Sequence, residues 1–367
     1  MAINTTREDL LFPLQKISGV VERRQTLPIL ANVLVNVRKD QLTLTATDLE
    51  VEMRTSARCS AQDSSDFTIP ARKLLDICKA LPEASDVTLA VEGERAVVRS
   101  GRGRYVLGLL PSQDYPVIEM NVAGEQQFSL SQQTLKKLLE RTQFAMAQQD
   151  VRYYLNGLLL ETEDAVLRTV ATDGHRLALD ETDDGVENGA KVRIILPRKA
   201  VAELHRLLAD SADPVQVEVS SNHARFSLGD TVFTSKLIDG RFPDYERVIP
   251  HGGSAVMKAD REILRQALTR ASILSNEKYR GIRFDLKGNN LQLVANNPEQ
   301  EEAEEEIEVE YSGKDVSMGF NVGYLLDVLN AIDTTEVNFA VTDSNSSCLI
   351  RTEPPGKEKY VIMPMRL

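Results

Sequence analysis

The sequence has few of the residues that build disulfide frameworks and metal sites. Its 367 residues include only Cys59, Cys78 and Cys348, which are scattered and show no C-x-x-C spacing. Its four histidines include no pair at a metal-ligand spacing. These shortages argue against a disulfide framework and a structural zinc site, and they are typical of a reducing cytoplasm. We therefore expect a cytoplasmic protein with no metal and no cofactor.

Long apolar runs are also missing. No run approaches the roughly 20 residues that a membrane span needs, and residues 1–11 carry no signal-peptide pattern. We expect neither secretion nor membrane insertion. The chain has 43 basic and 55 acidic residues, a net charge of −12. Proteins that hold nucleic acid by neutralising phosphates are usually basic overall, so any basic surface must be confined to one face.

The chain contains three copies of one unit, each about a third of its length. Three kinds of segment recur in the same order and at nearly equal shifts. They are residues 69–74, 196–201 and 320–325; residues 45–48, 170–173 and 294–297; and the helical leucines Leu10, Leu135 and Leu264. Three independent matches indicate a triplicated domain.

Each unit shows the same alternation of patterns. A helix opens it, as in residues 132–142, and a second helix follows with apolar residues at Leu74, Cys78 and Leu81 in the first unit. Residues 41–53, 215–220, 224–228 and 232–237 alternate or cluster as strands do. Two helices and several antiparallel strands per unit predict an α+β fold. Pro- and Gly-rich links at residues 114–127 and 239–259 predict domains over residues 1–122, 126–245 and 246–367.

Candidate catalytic residues are few. Asp173 and His175 form the most enzyme-like pattern, because an Asp can orient a His for base catalysis. The repeats favour another interpretation, since Asp173 aligns with Asp48 and Asn297, and such residues form turns. The position of His175 holds Glu in the other two units. A hydrolase that uses Asp173 and His175 stays as an alternative.

Other polar patterns are interpreted as structural. His205 occupies an apolar helix position and is expected in the core. Residues 101–103 are glycine-rich but lack the pattern of a phosphate loop. Residues 299–310 are acidic, and their alternation with Ile307 and Val309 predicts a strand with a solvated face.

Basic residues concentrate on five of the six predicted helices although the whole chain is acidic. If these helices faced one polyanion, the recurrent bias would be explained. The residues are Arg7, Lys16, Arg72, Lys73, Lys79, Lys136, Lys137, Arg141, Arg198, Lys199, Arg206, Arg261, Arg265 and Arg270.

Several long runs resemble the bacterial DNA polymerase III beta subunits, the sliding clamps. They are residues 26–30, 149–157, 171–177, 239–245 and 363–367, and the resemblance covers all three units. It implies a head-to-tail homodimer that closes six domains into a ring around double-stranded DNA. The ring would perform no chemistry and would tether the replicative polymerase for processive synthesis in DNA replication, near the nucleoid.

The resemblance also implies partners and a pocket for them. The partners are the polymerase alpha subunit, the clamp-loader complex, and other DNA polymerases and repair proteins with short clamp-binding motifs. The matching pocket positions are Leu155, Thr172, Gly174, His175, Arg176, Leu177, Pro243, Arg247, Val248, Asn321, Tyr324, Ser347, Val361, Met363, Pro364, Met365 and Arg366. Asn345 departs from the aliphatic residue that is common there, which predicts a more polar edge.

Two further sets of positions follow from the resemblance. The DNA-facing positions are Arg24, Gln149, Tyr153, Tyr154 and Arg198. The dimer interface joins Tyr105 and Leu107 of one chain to Ile273 and Leu274 of the other. The alternatives to a sliding clamp are the hydrolase and a peptide-binding scaffold that does not enclose DNA.

Overall fold

One order of elements occurs three times along the chain. The structure, a computed structural model, describes residues 2–21, 27–120, 126–183, 191–250 and 255–366. In each repeat a strand and a helix come first, then a group of strands, then a second helix and three strands. The α+β class and the triplication are confirmed.

The bounds of the elements follow the chain. The first repeat contains β1 (Ala2–Thr6), α1 (Arg7–Ile17), β2 (Asn32–Arg38), β3 (Gln41–Thr47), β4 (Val51–Arg58), β5 (Ser60–Ala61), β6 (Ser65–Pro70), α2 (Ala71–Ala80), β7 (Asp86–Glu92), β8 (Arg95–Ser100) and β9 (Gly103–Gly108). The second contains β10 (Gln126–Ser131), α3 (Gln132–Thr142), β11 (Gly157–Glu163), β12 (Val166–Thr172), β13 (Arg176–Thr182), β14 (Arg193–Pro197), α4 (Arg198–Leu207), β15 (Pro214–Val219), β16 (His223–Leu228) and β17 (Thr231–Lys236). The third contains β18 (Ala255–Asp260), α5 (Arg261–Ala271), β19 (Gly281–Lys287), β20 (Asn290–Asn296), β21 (Glu302–Glu308), β22 (Glu310–Tyr311), β23 (Val316–Asn321), α6 (Val322–Ala331), β24 (Glu336–Val341), β25 (Cys348–Glu353) and β26 (Lys359–Ile362).

Unit one of the fold comprises Met1–Gln132 and Ala202–Leu237. It holds a five-stranded sheet in the order β5-β1-β7-β8-β9 and an eight-stranded sheet in the order β10-β15-β16-β17-β4-β3-β2-β6. In the larger sheet, β17 of the second repeat pairs antiparallel with β4 of the first, from Thr231 opposite Thr55 to Ser235 opposite Val51. Backbone hydrogen bonds therefore join the first two repeats.

Unit two comprises Gln133–Val201 and Ile238–Leu367. Its sheets have the orders β21-β20-β19-β23 and β14-β11-β12-β13-β26-β25-β24-β18-β22. Here β13 of the second repeat pairs antiparallel with β26 of the third, from Arg176 opposite Ile362 to Leu179 opposite Lys359. Backbone hydrogen bonds between strands therefore join the second and third repeats, as they join the first and second.

The opening helix of each repeat is anchored in the same way. Leu10, Leu135 and Leu264 are buried at equivalent positions, because each helix turns one apolar stripe to the core. The first amide of each helix donates to the carbonyl just before the first strand that follows the second helix of its repeat. These bonds are Arg7 to Ser85, Gln132 to Asp213 and Arg261 to Thr335, at 2.9, 2.9 and 2.8 Å.

Two sequence predictions about local structure were wrong. Residues 41–53 form two strands, because the Asp48 carboxylate accepts the amides of Glu50 and Val51 and closes a turn between β3 and β4. His205 is half-buried and lies outside the core, although Cys78 and Leu329 are fully buried at the equivalent positions. Its polar ring keeps one side in solvent while its body packs on the helix.

Candidate functional site

Asp173 builds the turn between β12 and β13 in unit two. Its Oδ1 accepts the backbone amides of His175 at 2.9 Å and Arg176 at 3.0 Å, and its Oδ2 accepts Nε of Arg176 at 3.1 Å. Asp48 and Asn297 accept backbone amides in the equivalent turns. The turn-forming role is confirmed. Because both carboxylate oxygens are engaged in the turn, the Asp173 and His175 pair is not arranged as a catalytic dyad.

Arg176 is fixed by contacts on every side of its guanidinium group. Nη2 donates to the carbonyl of Phe144 at 2.6 Å, and Nη1 donates to the carboxylate of Asp327 at 2.5 Å. The group also lies 4.5 Å from the centroid of the Tyr324 ring, a distance that gives a favourable cation–π contact. Its side chain is only 11% exposed. Arg176 therefore shapes the wall of the site by joining β13 to α6.

Residues 363–366 continue from β26 and cross between two sheets of unit two. The Met363 amide donates to the carbonyl of His175 at 2.9 Å, and the Met365 amide donates to the carbonyl of Gly319 at 2.8 Å. Pro364 lies between these two anchors and restricts the backbone. The Met363 side chain remains 43% exposed. The two methionines thus present soft, adaptable apolar surface on a fixed backbone.

An apolar floor lies beneath this segment. Leu155, Leu177 and Val361 are between 1% and 3% exposed. Leu177 and Val361 belong to a buried cluster that includes Tyr245, and the half-buried Tyr154 packs against it. The Tyr245 hydroxyl donates a hydrogen bond to the buried carboxylate of Glu161. The floor is rigid because its polar atoms are paired.

The predicted pocket residues all lie in unit two and differ in their exposure. Besides the three floor residues, the half-buried members are Thr172, Arg176, Asn321, Tyr324, Ser347, Pro364 and Met365. The exposed members are Gly174, His175, Pro243, Arg247, Val248, Met363 and Arg366. Apolar residues at the base and polar or basic residues at the rim suit an extended peptide with apolar anchors.

Two asparagines at the edge of this site have backbone roles. Asn321 caps α6, since its Oδ1 accepts the amides of Gly323 at 2.9 Å and Tyr324 at 3.3 Å. Asn345 is exposed in the turn between β24 and β25, and its amide donates to the carboxylate of Asp343 at 2.8 Å. The effect of Asn345 on ligand preference stays a prediction.

The described DNA-facing candidates differ in their availability. Gln149 is exposed, with a φ of 56°, and Tyr153 is 60% exposed. Tyr154 packs on the apolar floor, and its ring lies edge-on to that of Tyr153 at 6.1 Å between centroids. Arg198 donates to the carbonyl of Met146 at 3.1 Å. Tyr153 and Gln149 are therefore the most exposed of the described candidates.

Several of the basic helix residues hold the fold together. Arg7 donates from Nε to the carbonyl of Cys78 at 2.9 Å, at the end of α2. Arg261 donates to the carbonyls of Leu329 at 3.2 Å and Ile332 at 3.1 Å, at the end of α6. Both cations satisfy carbonyls that the helix leaves unpaired and interact favourably with its negative end.

Other basic helix residues have acidic partners, and the expectation that the helices face one polyanion stays a prediction. Ion pairs are formed by Lys16, Lys137, Arg141, Arg206, Arg265 and Arg270. On α2, Arg72, Lys73 and Lys79 are exposed, and the described part of the chain contains no ion pair for them. Arg24 lies outside the described residues. Helix α2 therefore carries exposed positive charge.

The four predicted interface residues lie at two separate surfaces. Tyr105 is 37% exposed and Leu107 is buried on β9 in unit one. Ile273 is 75% exposed and Leu274 is half-buried in unit two. These last two belong to a short 3₁₀ turn, Ser272–Leu274, that follows α5.

Sequence reasoning missed three residues that organise the site. Phe144 and Asp327 hold Arg176, and Arg141 bridges two buried carboxylates in the same unit. A signal for Arg141 was present, because Lys16 and Arg270 occupy the equivalent helix position. Nothing in the local sequence marks Phe144 or Asp327.

Searches for other kinds of site gave two results. Across the described ranges, no three His, Cys, Asp or Glu side chains are grouped so as to hold a metal ion. No described helix is both long enough and apolar enough to span a membrane.

Comparisons with known proteins agree over the whole chain. Family models for the DNA polymerase III beta subunit match as its N-terminal domain over residues 1–119, its central domain over 129–244 and its C-terminal domain over 246–366. The beta sliding clamp of Pseudomonas aeruginosa is 51% identical over 370 residues, with full coverage of both chains.

Solved structures give the same result. The DNA polymerase III subunit beta of Pseudomonas aeruginosa has a TM-score of 0.97 at 50% identity, with full coverage of both chains. A sliding clamp of the same organism bound to griselimycin has a TM-score of 0.96 at 50% identity and the same coverage.

Replacing Asp173 with Ala should affect both stability and the site. Three hydrogen bonds are lost, so the free energy of unfolding should fall by about 1–3 kcal/mol. The Met363 amide, bonded to the carbonyl of His175, should exchange its hydrogen faster. Denaturant unfolding and hydrogen exchange read by NMR measure the two effects. The matched control is Asp48→Ala, which opens the equivalent turn in unit one and should leave Met363 exchange unchanged. Equal effects of both variants at Met363 would contradict the assignment.

Proposed function

The chain belongs to the DNA polymerase III beta subunit family, the sliding clamps, and we propose that two copies close head to tail around duplex DNA. As a member of this family the protein is a processivity factor in DNA replication and a non-catalytic polymerase subunit. We further propose that its three domains extend over residues 1–122, 126–245 and 246–367. As a replication protein it would act at the nucleoid, in the cytoplasm.

The proposed ring depends on one observation, which is that two strands have no neighbour on one side in the described part of the chain. The last strand of the second repeat, β17, pairs with β4, and the last strand of the third repeat, β26, pairs with β13. The equivalent last strand of the first repeat is β9, and the strand equivalent to β4 and β13 is β21. Each lies at the edge of its sheet among the described residues. Pairing β9 of one copy with β21 of another repeats the internal bond and covers two edges that otherwise invite aggregation.

The register of the β17–β4 pair inside the chain predicts the register of the proposed β9–β21 pair between two copies. Gly101 and Gly229, with φ of 54° and 56°, occupy equivalent hairpin turns and align β9 with β17. The turns at Asp48 and Asn297 align β4 with β21. Val232 opposite Arg54 then becomes Arg104 opposite Glu304.

This pairing places opposite charges directly across from each other. The exposed side of β21 carries Glu302, Glu304, Glu306 and Glu308, whereas Arg102 and Arg104 are exposed at β9. Opposite charges facing each other on neighbouring strands are favourable, and equal charges are not. The acidic strand β21, for which the sequence analysis predicted a solvated face, would therefore pair with the basic edge at β9.

The apolar part of the interface also has an internal counterpart. The ring of Phe144, the middle residue of a 3₁₀ turn after α3, lies 6.0 Å from that of Tyr360 on β26. Ile273 is the middle residue of the equivalent turn after α5, and Tyr105 is the equivalent of Tyr360. The same contact across the interface would cover the exposed Ile273 with Tyr105 of the partner.

The charge distribution suits a ring that slides. A net charge of −12 repels DNA from most of the surface, while the exposed lysines and arginine of α2 give a few phosphate contacts. Few such contacts give weak, mobile binding. Tyr153, Gln149 and Arg24 are proposed as additional contacts to DNA. Retention then comes from enclosure.

The pocket around residues 363–366 is proposed to receive partner motifs. Its apolar floor and exposed methionine suit the short motifs of the polymerase alpha subunit, the clamp loader and repair proteins. Griselimycin, bound to the related Pseudomonas aeruginosa clamp, is a convenient probe for it. A polymerase that is bound to a ring around the DNA stays at a high effective concentration near the primer end.

A peptide-binding scaffold that does not enclose DNA is the second candidate. The same pocket supports it, and the topology of the DNA separates the two functions.

Protein loaded by the clamp loader onto a nicked circular DNA should be retained, because an enclosed duplex has no end. Cutting the circle should release the protein within seconds to minutes as it slides off. Gel filtration of labelled protein with DNA before and after cutting measures this. A linear DNA with both ends blocked by bound protein is the control and should retain the ring. Equal retention on open linear and circular DNA would contradict enclosure.

Reversing one interface charge should weaken the dimer. We expect Arg104→Glu and Glu304→Arg each to raise the dimer dissociation constant by about tenfold, equivalent to roughly 1.4 kcal/mol. The double variant should restore much of the loss, and high salt should reduce the difference. Sedimentation equilibrium measures the constants. Lys39→Glu, the same charge change at an exposed turn, is the control. Failure of the double variant to recover would refute the register.

Deleting residues 363–367 should abolish binding of a synthetic peptide with the polymerase motif and leave the dimer intact. The deletion removes both methionines and their two backbone anchors but none of the proposed dimer contacts. Fluorescence anisotropy and sedimentation measure the two properties. A deletion variant that became monomeric would show that the segment is needed for assembly.

A further inference from the structure

Arg141 lies between two buried carboxylates of unit two. Its Nη1 is 3.2 Å from Oδ2 of Asp180 on β13 and 3.2 Å from Oε2 of Glu358, just before β26. Both carboxylates belong to residues that are 3% exposed. Its Nη2 contacts the carboxylate of Asp333 at 3.1 Å, and the Arg141 side chain is 14% exposed. One cation thus serves two different repeats.

The two carboxylates face each other across the strand pair. Arg176 lies opposite Ile362 and Leu179 lies opposite Lys359, so the next position in this register places Asp180 opposite Glu358. Equal charges directly opposite each other destabilise a strand pair. Two buried carboxylates without a cation would be costlier still. Arg141 removes this repulsion.

The same register ends at the candidate pocket. Continuing in the other direction, His175 lies opposite Met363, and the Met363 amide donates to the carbonyl of His175. Five residues separate Asp180 from His175, a distance of about 17 Å along a strand. The pocket residues Leu177 and Val361 lie between these two ends. A strand pair this short depends on both ends to keep its register.

The first and second repeats are joined in a similar way. Lys16, which occupies the position of Arg141 on α1, donates to the carboxylate of Asp230 at 2.8 Å, just before β17. These side chains are 41% and 52% exposed. An exposed pair of this kind contributes little to stability. The buried bridge at Arg141 therefore has a much larger effect on its strand pair.

We propose that Arg141 is a positioning residue for the partner-binding pocket, because its bridge between Asp180 and Glu358 holds β13 and β26 in the register that builds the pocket. The proposal depends on the proposed function of that pocket. The role assigned to Arg141 requires no contact with the bound peptide.

Without Arg141, the stability of the folded state should depend on pH in a distinctive way. Burial raises the pKa of Asp180 in spite of the attraction of Arg141. Without the cation, two facing carboxylates favour sharing a proton, so the folded state binds protons more tightly than the unfolded chain and is stabilised as the pH falls. The charged and titratable groups around the pair are Lys137, Arg141, Glu181, Asp333, Lys357 and Tyr360.

The test compares Arg141→Met with the variant that also carries Asp180→Asn and Glu358→Gln. The probes are griselimycin and a fluorescent peptide with the polymerase motif. If the single substitution leaves the register intact in one molecule in ten, the apparent affinity at pH 8 falls about tenfold. We expect that loss, its partial recovery at pH 5.5, and full recovery in the triple variant. Lys16→Met is the control and should leave affinity unchanged.

Hydrogen exchange without any ligand reads the register directly. The Met363 amide should exchange faster in Arg141→Met and at the wild-type rate in the triple variant. If Arg141→Met does not fold, the triple variant must still fold and bind like the wild type. Unchanged affinity and exchange in Arg141→Met, or losses that neither low pH nor the neutral pair relieves, would overturn the proposal. A wild-type protein that binds neither probe would refute the function of the pocket, while the exchange data would still report on the bridge.

Discussion

The backbone edge of a β-strand must find a partner, and this requirement organises the whole chain. Each repeat presents a last strand with an open edge, and in two cases another repeat of the same chain supplies the complementary strand, as β17 does for β4 and β26 does for β13. Among the described strands, β9 and β21 are also sheet edges, and they are the equivalents of strands that pair inside the chain. The proposed pairing between two copies would cover both of these edges. The assembly would then be head to tail, because the edge strands differ.

Charge is distributed by the same logic. Arg7 and Arg261 bind carbonyls at helix ends, and Arg141 bridges carboxylates where two repeats meet. These cations are used inside the fold and are not available to a polyanion. The chain as a whole is acidic, with a net charge of −12. A protein that held DNA by affinity would need the opposite balance. Weak attraction combined with enclosure permits sliding, whereas many phosphate contacts would oppose it.

The sequence predicted the repeats and the fold class, because period and spacing are local signals. The helix at residues 132–142 appears with those bounds. The turn at Asp48 followed from the alignment of the three repeats, although a single carboxylate that accepts two amides leaves no mark on the alternation of apolar residues. The repeats also offered a signal for Arg141, but the contacts of Arg176 and Arg141 could not be read from the sequence. Both depend on partners far along the chain, such as Asp327 and Glu358, and no local pattern reports such pairings. The pocket residues came from resemblance to a family, and their grouping in one unit is consistent with it.

One repeated backbone yields one binding pocket because the side chains have diverged. The segment that follows the last strand is anchored in all three repeats, by the amides of Leu110, Ile238 and Met365. Arg176 occupies the position of Val51 in the first repeat, and Met363 occupies the position of Lys236 in the second. A lysine or a valine cannot supply a stacked wall and an adaptable apolar rim together. In the proposed ring, strand pairing at the junctions provides closure, and substitutions at a few positions give a single junction the residues of the proposed partner site. Closure and recognition would then be open to independent change in the same fold.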